Sequence, residues 1–211
     1  MIIFVPVMIK AIVLDMGGVL IDLDVDSCIR AFREILGFER ITEILDPCHQ
    51  KGIYGDMEAG LVSSDAFRAA ILAESRPGCR PEDVDRCMAA LLVGMAPYKV
   101  DLLNRLAQKY PLYVLSNNNE ISMARFHRIF EEMGLDWKRL FRKEFVSCRM
   151  KMLKPGPEIF RETVREIGVL PEEILFVDDS MRNIEGARAV GIRAAYYEQG
   201  SDLCQVFKDL L

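Results

Sequence analysis

Four short, unbroken apolar runs constrain this chain more than any other feature: Ala11–Leu14, Leu112–Leu115, Ile174–Val177 and Ile192–Tyr196. A continuous run of β-formers bounded by polar or turn residues suits a parallel strand covered on both faces; a strand open to water on one side would alternate instead. Helical stripes lie between the runs. Leu102, Leu103, Leu106 and Ala107 follow one, and Met123, Phe126, Phe130 and Met133 a second. Ile159, Phe160, Thr163, Val164 and Ile167 form a third, opened by Pro157 and closed by Gly168. Ile184, Ala187 and Val190 form a fourth, closed by Gly191. Strands alternating with helices imply βαβ units, so the expected fold class is α/β, a Rossmann-like parallel sheet flanked by helices.

The stretch 22–96 breaks this rhythm and shows no clear strand. It reads as helices over Ser27–Leu36, Asp65–Glu74 and Glu82–Val93, with Ser64 as N-cap of the second and Pro81 opening the third. The expected organisation is therefore a core made of residues 8–21 and 97–211, with a small helical domain, 22–96, inserted after the first strand.

The chain has 211 residues, 51% of them hydrophobic and 28% charged, which excludes a disordered or collagen-like chain. The net charge of −5 argues against nucleic-acid or anionic-membrane binding. Six cysteines are scattered without a CxxC pair, which fits reduced thiols in a cytoplasmic protein rather than a disulfide framework or zinc site. His49 and His127 sit near no other candidate ligand in sequence. The opening MIIFVPVMIKAIVL is too short to span a bilayer, is interrupted by Pro6 and Lys10, and lacks the flanks of a signal peptide. Residues 1–7 are expected as a loose extension, with Met8 an alternative start. Oligomeric state leaves no trace in the sequence.

Ligands of an open parallel sheet bind outside the carboxyl ends of its strands, so the residues that end each run matter most. The first run ends on Asp15, the second on Ser116-Asn117, the third on Asp178-Asp179; Lys154 precedes a helix opening between them. Singly, each reads as a cap, a turn or a loop residue. Together they bring carboxylates, a hydroxyl, an amide and a lysine to one edge. Clustered carboxylates suit a hard divalent cation such as Mg²⁺, which commonly takes one or two carboxylates, waters and a substrate phosphate. Ser116 and Asn117 can donate to phosphate oxygens, Lys154 can neutralise charge, and an aspartate so placed can attack phosphorus.

These segments resemble the haloacid dehalogenase superfamily over essentially the whole chain. DMGGVL, LSN, the lysine of LKP, and FVDDS followed by NIEGA match its four motifs in order, and the helical insert is placed like that family's C1 cap. DMGGVLIDLD, VLSNNN, LKP and VDDSMRNIEGA, with GDMEAGLVSSDAF in the insert, look most like the subgroup that includes the bacterial alpha-D-glucose-1-phosphate phosphatase. The resemblance implies an Mg²⁺-dependent phosphatase acting on a small phosphorylated metabolite, a sugar phosphate. It implies Asp15 as the nucleophile that forms an aspartyl-phosphate, and Asp15 and Asp179 as metal ligands. Asp178 is implied behind those ligands or bound to the metal through water, with Ser116, Asn117 and Lys154 holding the phosphoryl group.

One position departs from the family pattern. Most of its phosphatases carry a second Asp two residues after the nucleophile, serving as general acid and base; here Gly17 stands there. Its carbonyl can still serve the metal, but the acid is gone, and such help is typically worth ~10²–10⁴ in rate. Three readings follow: a leaving group that needs little protonation, as in a sugar 1-phosphate; a proton supplied through water by Asp22 or Asp24; or a phospholigand-binding protein with little turnover. A 2-haloacid dehalogenase is the competing enzyme, since that branch also lacks the second Asp; it needs no metal, and its fourth motif is not an Asp-Asp pair. The segments Ile21–Asp26 and Tyr54–Met57 are the candidates for specificity contacts.

Overall fold

The computed structural model describes residues 8–45 and 52–211. The expectations for residues 1–7, Cys48 and His49 fall outside these. Among the described residues the strands are β1 (Ala11–Leu14), β2 (Asp22–Leu23), β3 (Leu92–Gly94), β4 (Leu112–Ser116), β5 (Phe141–Val146), β6 (Ile174–Asp178) and β7 (Arg193–Tyr196). Five of them form one sheet in the order β5-β4-β1-β6-β7, with every neighbouring pair parallel. The four apolar runs became β1, β4, β6 and β7.

The central strand shows why its run is unbroken. Ile12 and Leu14 pack on one face with Leu102, Leu106, Phe126 and Phe130. Ala11 and Val13 pack on the other with Phe160, Phe176 and Ile184. Helices Tyr98–Lys109 and Glu120–Glu132 thus cover one face, and Pro157–Ile167 and Met181–Ala189 the other. The helix Pro157–Ile167 starts on its proline and ends at Gly168, whose φ of 76° closes it in the left-handed region. Sequence reading missed β5, FRKEFV, because it is an edge strand. Arg142 and Lys143 are exposed while Phe145 and Val146 are buried, and charges on an edge erase the apolar run while blocking unwanted pairing.

The inserted stretch has a hydrophobic cluster of its own, including Phe32, Tyr54, Phe67, Val84 and Met88, joined by Ile121 from the helix Glu120–Glu132. It contains the helix Val25–Ala31, continued as a π-helical turn Phe32–Leu36, and the helices Ile41–Ile44, Gly52–Glu58, Ser64–Ala73 and Pro81–Ala89. The helices Ile41–Ile44 and Gly52–Glu58 were not expected, and two further details differ. The cap of the helix Ser64–Ala73 is Ser63, whose side chain accepts from the Ala66 N–H at 3.1 Å, so Ser64 is the first helical residue. The last helix stops at Ala89, and Leu92–Gly94 becomes β3, paired antiparallel with β2. Both chain crossings between insert and sheet therefore run side by side as a small ribbon in a stretch expected to hold no strand. A two-residue strand carries too little pattern to be seen in sequence; only the pairing defines it.

Lys99 stiffens the approach to that ribbon. Its side chain is buried, and Nζ donates to Val19 O at 2.8 Å and lies 3.2 Å from Asp22 Oδ1. No helix among the described residues is long and apolar enough to cross a membrane. The five described cysteines are free thiols, and burial pushes those of Cys28 and Cys87 up to about 12.

Candidate active site

In this strand order the chain path reverses between β1 and β6, which opens a crevice at their carboxyl ends. Leu14 pairs with Val177, and the Asp15 N–H donates to Val177 O at 2.9 Å. Asp15 and Asp178 are thereby set side by side by strand register alone. Carboxylate oxygens of Asp15, Asp178 and Asp179 all lie within 4.8 Å of one another.

Lys154 supplies the counter-charge. Its ammonium lies 2.9 Å from Asp15 Oδ2, 2.6 Å from Asp178 Oδ2 and 2.9 Å from Leu115 O, so all three of its protons have acceptors. Burial opposes the charge on this lysine, but Asp15 and Asp178 outweigh it, and the pKa is raised. Asp178 is fully buried and also accepts from the Ser180 N–H at 2.8 Å and from Asn183 Nδ2 at 3.0 Å. It is thus held among protein donors. Asp179 faces the cavity more openly. Asp15 is pushed up to about 8: burial raises it most, the Lys154 charge pulls it down, and the charges of Asp178 and Asp179 add to the rise. Burial and Asp178 likewise push Asp179 to about 6. One lysine therefore does not neutralise three carboxylates, and the cluster is short of positive charge.

Glycines let the cluster close. Gly18 has a φ of 77°, and a β-carbon there would collide with the Asp179 carboxylate. Gly17 lines the cavity, and a β-carbon on it would sit 3.2 Å from Leu23 Cδ1, so the space ahead of it is occupied by an apolar side chain. Ser116, at the end of β4, is buried and lines the same cavity. Asn117 lines it too, but its side chain faces another task. Its Oδ1 accepts from the Lys154 N–H and its Nδ2 donates to the Lys154 carbonyl, each at 2.8 Å. The amide that sequence reading assigned to phosphate clamps the loop that carries the lysine.

The cavity has a volume of about 520 Å³, the size of a small-metabolite site. The sheet supplies its charged floor. The insert supplies Leu23, Val25, Leu45, Leu91 and Leu92, with Tyr54 and Glu58 as its polar groups. Within Ile21–Asp26, Leu23 and Val25 reach the cavity, but Asp22 pairs with Lys99 and Asp24 caps the helix Val25–Ala31 through Ser27. Neither of these two aspartates lines the site. Of Tyr54–Met57, Tyr54 lines it and Met57 packs in the core of the insert. Glu58 was missed, although it stands one helical turn after Tyr54 and so shares its face. Asn183 was missed as the clamp on Asp178, although it lies inside the NIEGA motif. His127 stacks on Trp137 at 3.5 Å and meets Glu144, outside the cavity.

Buried carboxylates gathered at the switch point of a doubly wound sheet, held against one lysine under a helical roof, mark a hydrolase built on a Rossmann-like core. The profile of the haloacid dehalogenase-like hydrolases matches residues 9–191, and the chain belongs to that family. The D-ribitol-5-phosphate phosphatase of Bacteroides thetaiotaomicron is 32% identical over 196 residues, spanning 92% of this chain and 95% of that protein. A haloacid dehalogenase family enzyme of the same organism, solved as a point mutant with magnesium and inorganic phosphate, superposes with a TM-score of 0.89. It is 34% identical, over 94% of this chain and 98% of that one. A haloacid dehalogenase-like hydrolase of Porphyromonas gingivalis superposes with a TM-score of 0.85 at 32% identity, over 96% and 98% of the two chains.

Proposed function

We propose that this enzyme hydrolyses a phosphate monoester of a small sugar or sugar alcohol, with Asp15 as nucleophile and Mg²⁺ as cofactor. One observation carries the reading: three carboxylates within 4.8 Å of one another share a single lysine. The donor set is all oxygen and under-neutralised, as a hard divalent cation requires. Asp15, Asp179 and the Gly17 carbonyl would hold Mg²⁺, with Asp178 behind them or reaching it through water. When bound, Mg²⁺ neutralises the substrate phosphate and keeps the carboxylates ionised.

Lys154 orients Asp15 and offsets its charge. Ser116 borders the place where the phosphoryl group sits, and Asn117 fixes the lysine that serves it. Asp15 attacks phosphorus, the alcohol departs, and water then cleaves the aspartyl-phosphate, so one difficult displacement becomes two easier ones. Residues 22–96 act as a cap over the core of 8–21 and 97–211, excluding water and selecting the alcohol part of the substrate. Similarity to a D-ribitol-5-phosphate phosphatase favours a polyol or sugar phosphate, and a cavity of about 520 Å³ accommodates one.

The test is turnover of p-nitrophenyl phosphate with Mg²⁺. Asp15→Asn and EDTA are each expected to abolish it. Turnover that survives either one rejects the mechanism, and halide release from chloroacetate without Mg²⁺ would place the enzyme with the dehalogenases instead.

A further inference from the structure

Displacing an alcohol from phosphorus requires a proton for the departing oxygen, because an alkoxide is a poor leaving group. Gly17 has no side chain to offer, and Leu23 fills the space before it. Asp22 and Asp24 are engaged away from the cavity. Lys154 has its three protons bound to acceptors, and Arg182 is an exposed guanidinium that does not give up a proton. Asp15 and Asp179 belong to the nucleophile and cation cluster. The other carboxyl group lining the cavity, among the described residues, is Glu58.

Glu58 is placed for work rather than merely present. It is 4% exposed, at the end of the helix Gly52–Glu58. Tyr54, one turn earlier, donates its hydroxyl to the Glu58 side chain. Burial first, and then the Glu58 charge, keep that phenol well above its usual pKa. The Glu58 main chain is docked on the sheet domain: the Ser147 hydroxyl donates to its carbonyl at 2.6 Å. The same Ser147 oxygen accepts from the Asn118 N–H at 2.9 Å, two residues beyond Ser116. Gly60 presses on the Cys148 carbonyl so closely that a β-carbon would collide with it. The segment 58–60 is therefore tied to the loop that carries Ser116 as well as to its own helix, through the Ala59 and Gly60 N–H groups.

We propose that Glu58, reaching the reaction from the insert, is the proton donor to the leaving alcohol and the proton acceptor for the attacking water. The inference rests on the phosphatase reading above. In the first half-reaction the bond from Asp15 Oδ to phosphorus forms and the bond from phosphorus to the ester oxygen breaks. The electron pair of the broken bond stays on that oxygen, which takes the Glu58 proton and leaves as the neutral alcohol. In the second, water oxygen bonds to phosphorus and the bond to Asp15 breaks, with the pair returning to Asp15. Glu58 takes the water proton, and both residues are restored.

A burst experiment on Glu58→Gln tests this, with p-nitrophenyl phosphate and ribitol 5-phosphate as probes in Mg²⁺ buffer. p-Nitrophenolate leaves without a proton. The variant is expected to release about one equivalent of it rapidly, then stall with Asp15 phosphorylated, seen as a phosphate adduct by intact-protein mass spectrometry. From ribitol 5-phosphate it is expected to release no burst of alcohol. Steady-state turnover of both probes should fall by about 10²-fold or more. Unchanged turnover, or an equal loss on both probes with no burst, overturns the proposal, since a structural role would slow both first steps alike. A wild type that cleaves p-nitrophenyl phosphate but neither ribitol 5-phosphate nor glycerol 3-phosphate also refutes it. A wild type inactive on p-nitrophenyl phosphate instead brings down the phosphatase reading itself. Should Glu58→Gln not fold, Glu58→Ala replaces it, and added formate must restore alcohol release; failure of that rescue counts against Glu58.

Discussion

Loading the site with Mg²⁺ should expel a proton, and the structure sets how many. Without metal, burial holds the Asp15 carboxyl at about 8 and that of Asp179 at about 6. A cation requires both ionised. At pH 7, Asp15 is then about nine-tenths protonated and Asp179 about one-tenth, so about one proton leaves per Mg²⁺ bound. At pH 9 the same arithmetic leaves about 0.1 proton, and the apparent affinity is about tenfold tighter than at pH 7. Isothermal titration calorimetry in two buffers of different ionisation enthalpy reads this directly, as the slope of observed against buffer enthalpy. The sign for stability follows from the same raised values. The folded metal-free protein holds protons that the unfolded chain releases near pH 4, so its stability falls as pH rises from about 4 to about 8. Mg²⁺ should accordingly raise the unfolding midpoint more at pH 8 than at pH 5.5. No proton release at pH 7, or equal release at pH 7 and pH 9, would refute the idea that one lysine leaves these carboxylates under-neutralised.

Asn117→Ala removes both hydrogen bonds that hold the Lys154 main chain. It should cost about 1–3 kcal/mol in urea unfolding and lower kcat far more than a surface alanine does. Gly18→Ala drives a methyl into the Asp179 carboxylate, so calorimetry should find Mg²⁺ bound at least about tenfold more weakly. Lys99→Met strips the Val19 carbonyl and Asp22 of a charged donor. Denaturant melts should show a loss of about 2–3 kcal/mol, although the residue lies outside the cavity.

The residues legible in the sequence were those fixed by strand ends. Asp15, Ser116 and Asp178-Asp179 each follow a doubly buried apolar run, and parallel register carries such ends to one edge without further information. Lys154 was legible from its step into a proline-opened helix. Asn117 illustrates the limit: its identity and neighbourhood were visible, but whether its amide faces a ligand or another loop depends on a partner 37 positions away. Lys99 was not singled out, because nothing local reveals that two carbonyls 79 and 80 residues upstream converge on it. Glu58 lay inside a quoted segment but was not singled out, since its contacts with Tyr54 and Ser147 form only in the folded chain.

What the chain determined by itself was the alternation of buried strands and amphipathic helices, hence the sheet, its crevice and the carboxylates at its mouth. Periodicity and strand termini are local properties, and local properties can be read in order. What the tertiary structure decided was the pairing of those groups: which carboxylate the lysine touches, which amide is already committed, and which glutamate enters the cavity from above. Such facts depend on distances between segments far apart in the chain, and only packing sets those.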